Sequence, residues 1–275
     1  MSTKGTRRWH LASAASLLAV ALLTGCTGPA AGQPAGDPGT GPRPDDHAAA
    51  SHRPTGVGIL GTRSTPNHPV SYPATGGNRW TLAAAETTRG GAESGTLLRY
   101  RVAVERDIHG LAAGDIATAI TATLNDPRGW TAGGDWRLRR VGAGDSADFT
   151  IYLATPGTRD TLCQDVPDGY TSCRSGDKVV LNVARWVSSV PNYGTSLTTY
   201  RQYMVNHEVG HRLGFGHERC PGSGRPAPVM QQQTLGLHGC RANAWPYPNG
   251  TTRYHGPSGA YDDAIPRREG AYPKH

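Results

Sequence analysis

"NHEVGHRLGFGHERC", residues 206–220, places three histidines and two glutamates within the twelve positions from His207 to Glu218. His207 and His211 are one helical turn apart, so on a helix their imidazoles project to the same side and can reach one ion together. Glu208 falls beside that pair, about 100° round the helix from His207 and about 60° from His211, where a carboxylate can meet a water on the ion. Gly214, three residues after His211, suits a left-handed helix end that turns the chain back and carries His217 up as a third ligand. Three neutral imidazoles on Zn²⁺ leave a tetrahedral corner open for water, the pattern of a catalytic and not a structural zinc. Chance would yield the two-histidine pattern about once in a hundred such chains, and the full pattern on the order of once in ten thousand.

The segment requires a helix over about 196–213. Within it Val205, Val209 and Leu213 share one side, while Tyr200, Met204, His207 and His211 share the other, as expected of a helix packed inside a domain. Upstream, "LLRYRVAVE" alternates Leu98, Tyr100, Val102 and Val104 on one face and predicts a half-buried strand. "DIATAITATLND" predicts a helix with Ile116, Ala119, Ile120 and Leu124 as its apolar stripe. "DWRLRRV", "DFTIYLAT" and "KVVLNVARW" read as three further strands. The order before the metal-site helix is thus strand, helix, strand, strand, strand, and after it the chain turns irregular.

These residues resemble the metzincin metallopeptidases, whose motif HExxHxxGxxH is matched by His207, Glu208, His211, Gly214 and His217. Those proteins carry a methionine in a tight turn under the metal, and "APVMQQQ" offers Met230, thirteen residues after His217. The resemblance implies an α+β fold: a twisted mixed β-sheet backed by helices, a central active-site helix and an irregular C-terminal subdomain. It makes Met230 a hydrophobic floor and "KVVLNVARW" the strand nearest the cleft. It implies Zn²⁺ as cofactor, a peptide or protein substrate, and Glu208 as catalytic base. Some metzincins have a tyrosine two residues after the turn methionine; here Gln232 stands there, so transition-state stabilisation must come from elsewhere. Tyr193, Tyr200 and Tyr203 are the candidate donors. Glu218 is expected to be a solvated carboxylate or a partner of the ligands, not a catalytic group. The overlap runs from about Leu97 to Tyr247. The stretch from Asn206 to Gly236 also resembles an exported bacterial family described only as of unknown function.

The chain begins with Lys4, Arg7 and Arg8, then the apolar run "LASAASLLAVALL" and "LTGC" at 23–26. This pattern predicts a signal peptide over 1–25, its apolar run too short for a membrane span. "LTGC" resembles a lipobox, which implies a lipid on Cys26 and an N-terminal membrane anchor on the outer face, the alternative being a plain secreted protein. Residues 26–79, rich in Pro and Gly, read as a disordered linker; 80–248 as the catalytic domain; 249–275 as a disordered tail. The leader holds three of the +7 net charges. The small remainder, with no Lys/Arg run among aromatics, gives no argument for nucleic acid. A monomer is expected.

Four further cysteines, Cys163, Cys173, Cys220 and Cys240, form an even set in an exported chain and favour two disulfides. The simplest pairing joins sequence neighbours, although three pairings exist; a second metal site of Cys220, Cys240 and His238 is the alternative. For function, a zinc-dependent endopeptidase stands first. A zinc-stabilised binding or scaffold module and an amidase acting on cell-wall material are the alternatives. Because the ligands bind unprotonated, metal is expected to leave as pH falls below about 5 to 6.

Overall fold

A computed structural model of the chain describes residues 69–87 and 94–266. The signal peptide, Cys26, most of the linker and the last nine residues lie outside the described residues.

Six strands form one mixed sheet: β1 (Trp80–Leu82), β2 (Thr96–Glu105), β3 (Trp136–Arg140), β4 (Phe149–Ala154), β5 (Cys173–Ser175) and β6 (Lys178–Asn182). The order β1-β2-β4-β6-β5 has β2, β4 and β6 mutually parallel and β1 and β5 antiparallel to their neighbours, while β3 pairs in parallel with the first half of β2. Among the described residues four α-helices accompany it, α1 (Ala113–Leu124), α2 (Pro156–Cys163), α3 (Val183–Ser188) and α4 (Leu197–Arg212), with a short 3-10 helix at Trp130–Gly133.

The two-residue period of the strands divides the apolar residues between two faces. Tyr100, Val102 and Val104 of β2, Phe149, Ile151 and Leu153 of β4, and Val179 and Leu181 of β6 join the main core with α1 and α4. Ala154 and Val180 point the other way into a smaller cluster with Cys163 of α2. Helices therefore back the sheet on both faces, unequally.

Several elements differ from the expectation. "KVVLNVARW" is a strand only to Asn182. There the Asn182 side chain caps a new helix by accepting a hydrogen bond from the Ala184 amide at 3.0 Å, and the backbone turns away. The strand against the metal-site cleft is β5, not β6. On α1 the buried stripe is Ile116, Ala117, Ile120, Thr123 and Leu124, and Ala119 is exposed. Ala119 sits about 100° from the centre of that stripe, too far round to reach the sheet.

Packed structure also begins before Trp80. Ser71 and His109 exchange backbone hydrogen bonds of 3.2 and 2.8 Å, and Tyr72 lies in the core. Fully buried Glu105 accepts from the amides of Asn78 (2.9 Å) and Thr155 (2.8 Å) and from the Thr158 hydroxyl (2.7 Å). A buried carboxylate needs such donors, and these tie the segment before β1 to the start of α2.

From Leu213 to 266 the described chain has no helix or extended strand. Side-chain amides replace the missing ladders: Gln233 donates to the carbonyls of Pro228 (3.1 Å) and Asn243 (2.7 Å), and Asn243 to those of Ala227 (2.9 Å) and Trp245 (3.0 Å). Residues 251–266 are part of this fabric and not a free tail. Ser258 bridges to Glu218, and the Tyr261 ring stacks on His238 at 3.5 Å.

Candidate metal centre

Ser196 caps α4 through its hydroxyl, which accepts from the Thr199 amide at 3.1 Å, and the helix runs to Arg212. Its end is a Schellman turn: Phe215 N–H donates to Gly210 O (3.0 Å), and Gly214 N–H to His211 O (3.2 Å). Gly214 takes φ +97°, which a side chain would resist. The turn returns the chain so that His217 faces the helix.

His207, His211 and His217 thereby bring three ring nitrogens within 4.8 Å of one another, a group able to hold a metal ion. His207 Nδ1 lies 2.8 Å from the Val229 carbonyl, and His211 Nδ1 2.9 Å from that of Phe215. A carbonyl only accepts, so the proton of each ring sits on Nδ1 and the Nε2 lone pair points inward. His211 Nε2 is 3.2 Å from His207 Nε2 and 3.1 Å from His217 Nε2. Between His207 and His211 no proton is available for a hydrogen bond, and two lone pairs so close repel. A cation between them removes the repulsion. Tetrahedral Zn–N bonds of about 2.0–2.1 Å would set the nitrogens about 3.3 Å apart, close to what is found.

Burial keeps these rings neutral. It holds His207 well below the ordinary imidazole range, with His211 and His217 adding like-charge repulsion. His211 is lowered by burial too. His217 is brought down to about 4, by burial first and His211 second. Unprotonated nitrogens are what a metal ion requires.

The cleft around them has a volume of about 550 Å³. Glu208 lines it, and burial pushes its carboxyl up to about 8 despite the opposing pull of Arg159; Asp165 and Asp168 add to the rise. Met230 is fully buried beneath α4, in a tight turn closed by Gln231 N–H to Pro228 O at 3.0 Å. Val229, in the same turn, supplies the carbonyl that orients His207.

The hydroxyls of the three candidate tyrosines are bonded to the segment after Met230, although the Tyr203 ring lines the cleft beside His207. Tyr203 donates to Gln231 O (3.0 Å) and Tyr193 to Gln233 Oε1 (3.1 Å), while Tyr200 bonds with the Thr234 hydroxyl (3.0 Å). They hold the segment after Met230 against α4, and burial raises all three phenols. Gln232 lines the cleft.

Two contributors carried no readable signal. Arg159 of α2, 1% exposed, reaches the cleft wall, where it pairs with Asp160 (3.0 Å), Asp165 (3.1 Å) and Asp168 (3.3 Å). Its role depends on the loop from Gln164 to Ser172 folding round one guanidinium, and no local pattern announces that. Arg174 of β5 also lines the cleft and donates twice to His211 O, at 3.2 and 3.1 Å.

Both disulfides join sequence neighbours, Cys163 with Cys173 (Cα–Cα 6.0 Å) and Cys220 with Cys240 (5.8 Å). The alternative Cys220/Cys240/His238 metal site is thereby ruled out, since those sulfurs are bonded and His238 pairs with Asp263 at 2.8 Å. Two disulfides favour an extracytoplasmic location. Among the described residues no helix is long and apolar enough to cross a membrane.

Fold and site together define a mixed α+β domain whose open cleft brings together three histidines able to hold a metal ion. The chain belongs to the family described as "Protein of unknown function (DUF3152)", whose model matches residues 67–248. No curated protein and no solved structure matches it.

Proposed function

We propose that the protein is a zinc-dependent hydrolase, a metalloendopeptidase that works outside the cytoplasmic membrane, tethered there through Cys26. The observation that carries this reading is the inward convergence of three imidazole Nε2 atoms with buried Glu208 lining the same cleft. Zn²⁺ bound at the three nitrogens would supply Lewis acidity toward water and the scissile carbonyl. The rest is the work of the chain's own groups. Val229 and Phe215 carbonyls fix the ring orientations of His207 and His211. Glu208 takes a proton from the attacking water and later passes it to the leaving amine.

Burial raises the Glu208 carboxyl to about 8, which favours its neutral form. A nearby cation favours the carboxylate, so metal binding and readiness of the base are coupled. A buried carboxyl that a neighbouring cation would ionise suits the base of a hydrolase. The edge position of β5 along the cleft suits an extended peptide, which adds to a sheet through main-chain bonds.

The test is a metal analysis of the purified exported domain followed by incubation with a peptide library, with and without chelator. Zinc near one equivalent and chelator-sensitive cleavage are expected. Zinc without cleavage of any peptide would leave the binding-module or cell-wall amidase readings, and absence of any bound transition metal would refute all three.

A further inference from the structure

His211 lies in the last turn of α4 and His217 beyond it, past a helix-end turn whose backbone hydrogen bonds to α4 end at Phe215. Phe215 O receives the His211 Nδ1 proton, and Glu218 follows His217 directly. Both residues meet one side chain from far along the chain. Arg253 Nη2 donates to Glu218 Oε1 at 2.6 Å, and the same guanidinium lies over the Phe215 ring, 4.4 Å from its centroid. Phe215 in turn stacks on Trp130 at 4.5 Å, and the indole N–H of Trp130 donates to Asn206 O at 2.8 Å on α4. Glu218 is 9% exposed, so its ion pair is poorly screened.

The backbone round Arg253 repeats the clamp. Gly259 N–H donates to His217 O at 2.9 Å, Arg219 N–H to Pro257 O at 2.8 Å, and Gly256 N–H to Glu218 Oε2 at 3.4 Å. His217 to Arg219 is therefore held edge to edge by residues 256–259, all of them beyond the stretch that the family model matches.

We propose that Arg253 is a positioning residue for the metal centre: through Glu218 and Phe215 it fixes the turn that presents His217 and orients the His211 ring toward one metal ion. This rests on the reading of the three histidines as a metal site, though not on peptide hydrolysis. A guanidinium fits the task because one planar group can stack on a ring and reach a carboxylate at the same time. Partners that orient metal ligands typically change affinity about 10- to 100-fold when removed.

The experiment measures Zn²⁺ affinity by chelator competition, and the visible spectrum of the Co²⁺-loaded form, in the full exported chain and its variants. Arg253→Ala and Glu218→Gln are each expected to weaken Zn²⁺ about 10-fold or more and to alter the Co²⁺ absorption. Together they should weaken it little further, since both break one link. Arg253→Lys keeps the charge without the planar stack and should recover only part of the loss. Asp263→Asn, which loosens the His238 contact at the far end of the same segment, is expected to stay within about twofold. Unchanged affinity and spectrum in folded Arg253→Ala and Glu218→Gln proteins would overturn the proposal while leaving the metal site intact. Additive losses in the double variant would also overturn it. A wild-type chain that binds neither ion would remove the site and the proposal together. If Arg253→Ala fails to fold, Arg253→Lys and Glu218→Gln decide the matter by themselves.

Discussion

Gly210 and Met230 are packed so closely that a Cβ on Gly210 would sit 2.4 Å from Met230 Sδ, and 2.6 Å from Cζ2 of Trp130. The metal-site helix thus lies on its methionine floor at a position where only glycine fits. On an exposed helix Gly→Ala is stabilising by about 1 kcal/mol. Here the clash falls on a fully buried methionine and on a tryptophan wedged against Phe215, so overpacking of about 1–3 kcal/mol should exceed that gain. Gly210→Ala is expected to lower the denaturation midpoint and weaken metal binding. A variant more stable than the parent would show that the floor yields easily.

That contact also shows what the sequence could and could not disclose. The spacing of His207, His211, Gly214 and His217 is local, set by one helix and one turn, so it could be read directly. The core strands were legible for the same reason, because Tyr100, Val102 and Val104 alternate within one strand. Position 182 was harder: Val179, Val180, Leu181 and Val183 read as one strand, and only the Asn182 cap ends it. Helix α2 has few apolar residues, and its buried Arg159 is paid for by three aspartates, two of them in the following loop. Residues 253–260 are polar and glycine-rich, which reads as a free tail. They are placed by bonds to His217, Glu218 and Arg219, more than thirty residues away in sequence, and no periodicity encodes such pairings.

Glu208→Gln separates the catalytic reading from the scaffold reading. Because burial favours the neutral carboxyl, the isosteric amide is expected to fold with little loss of stability. Zinc content should not change, since the three histidines are untouched. Peptide cleavage should fall by about 10²- to 10⁴-fold, the usual contribution of a general base. Undiminished turnover in the variant would remove Glu208 from the mechanism.

The two disulfides are expected to differ in what they protect. Each closes a short loop, with sequence separations of 10 and 20, and the chain-entropy argument gives about 3 kcal/mol for either. Only the Cys220–Cys240 loop contains Val229 and Met230, which hold His207 in orientation and carry α4. Replacing Cys220 and Cys240 by serine should therefore weaken Zn²⁺ binding as well as stability. The same change at Cys163 and Cys173 should lower stability with zinc affinity nearly intact. Equal effects on zinc in a competition assay would contradict this division.

The pH dependence of the metal-free protein has a definite shape. The folded pKa of His217 lies at about 4 against 6.5 for a free imidazole, and those of His207 and His211 are lowered as well. Between about 4 and 6.5 the unfolded chain therefore binds more protons at these rings, and stability falls as pH drops through that window. Glu208 acts in the opposite sense: its folded pKa is raised from 4.5 to about 8, so the folded state binds the extra proton and stability falls as pH rises from about 4.5 to 8. Three rings outweigh one carboxyl below pH 6.5, and above it only the carboxyl still titrates. The midpoint of urea denaturation, followed on metal-stripped protein from pH 4 to 8, should pass through a maximum near neutrality. Zinc should raise the curve and flatten its alkaline side, because a cation beside Glu208 favours the carboxylate. Proton competition at rings already lowered this far also moves metal release below the 5 to 6 expected from ordinary histidines, toward pH 4. A monotonic stability profile for the stripped protein, or release of zinc at pH 6, would mean that these four groups are not buried together.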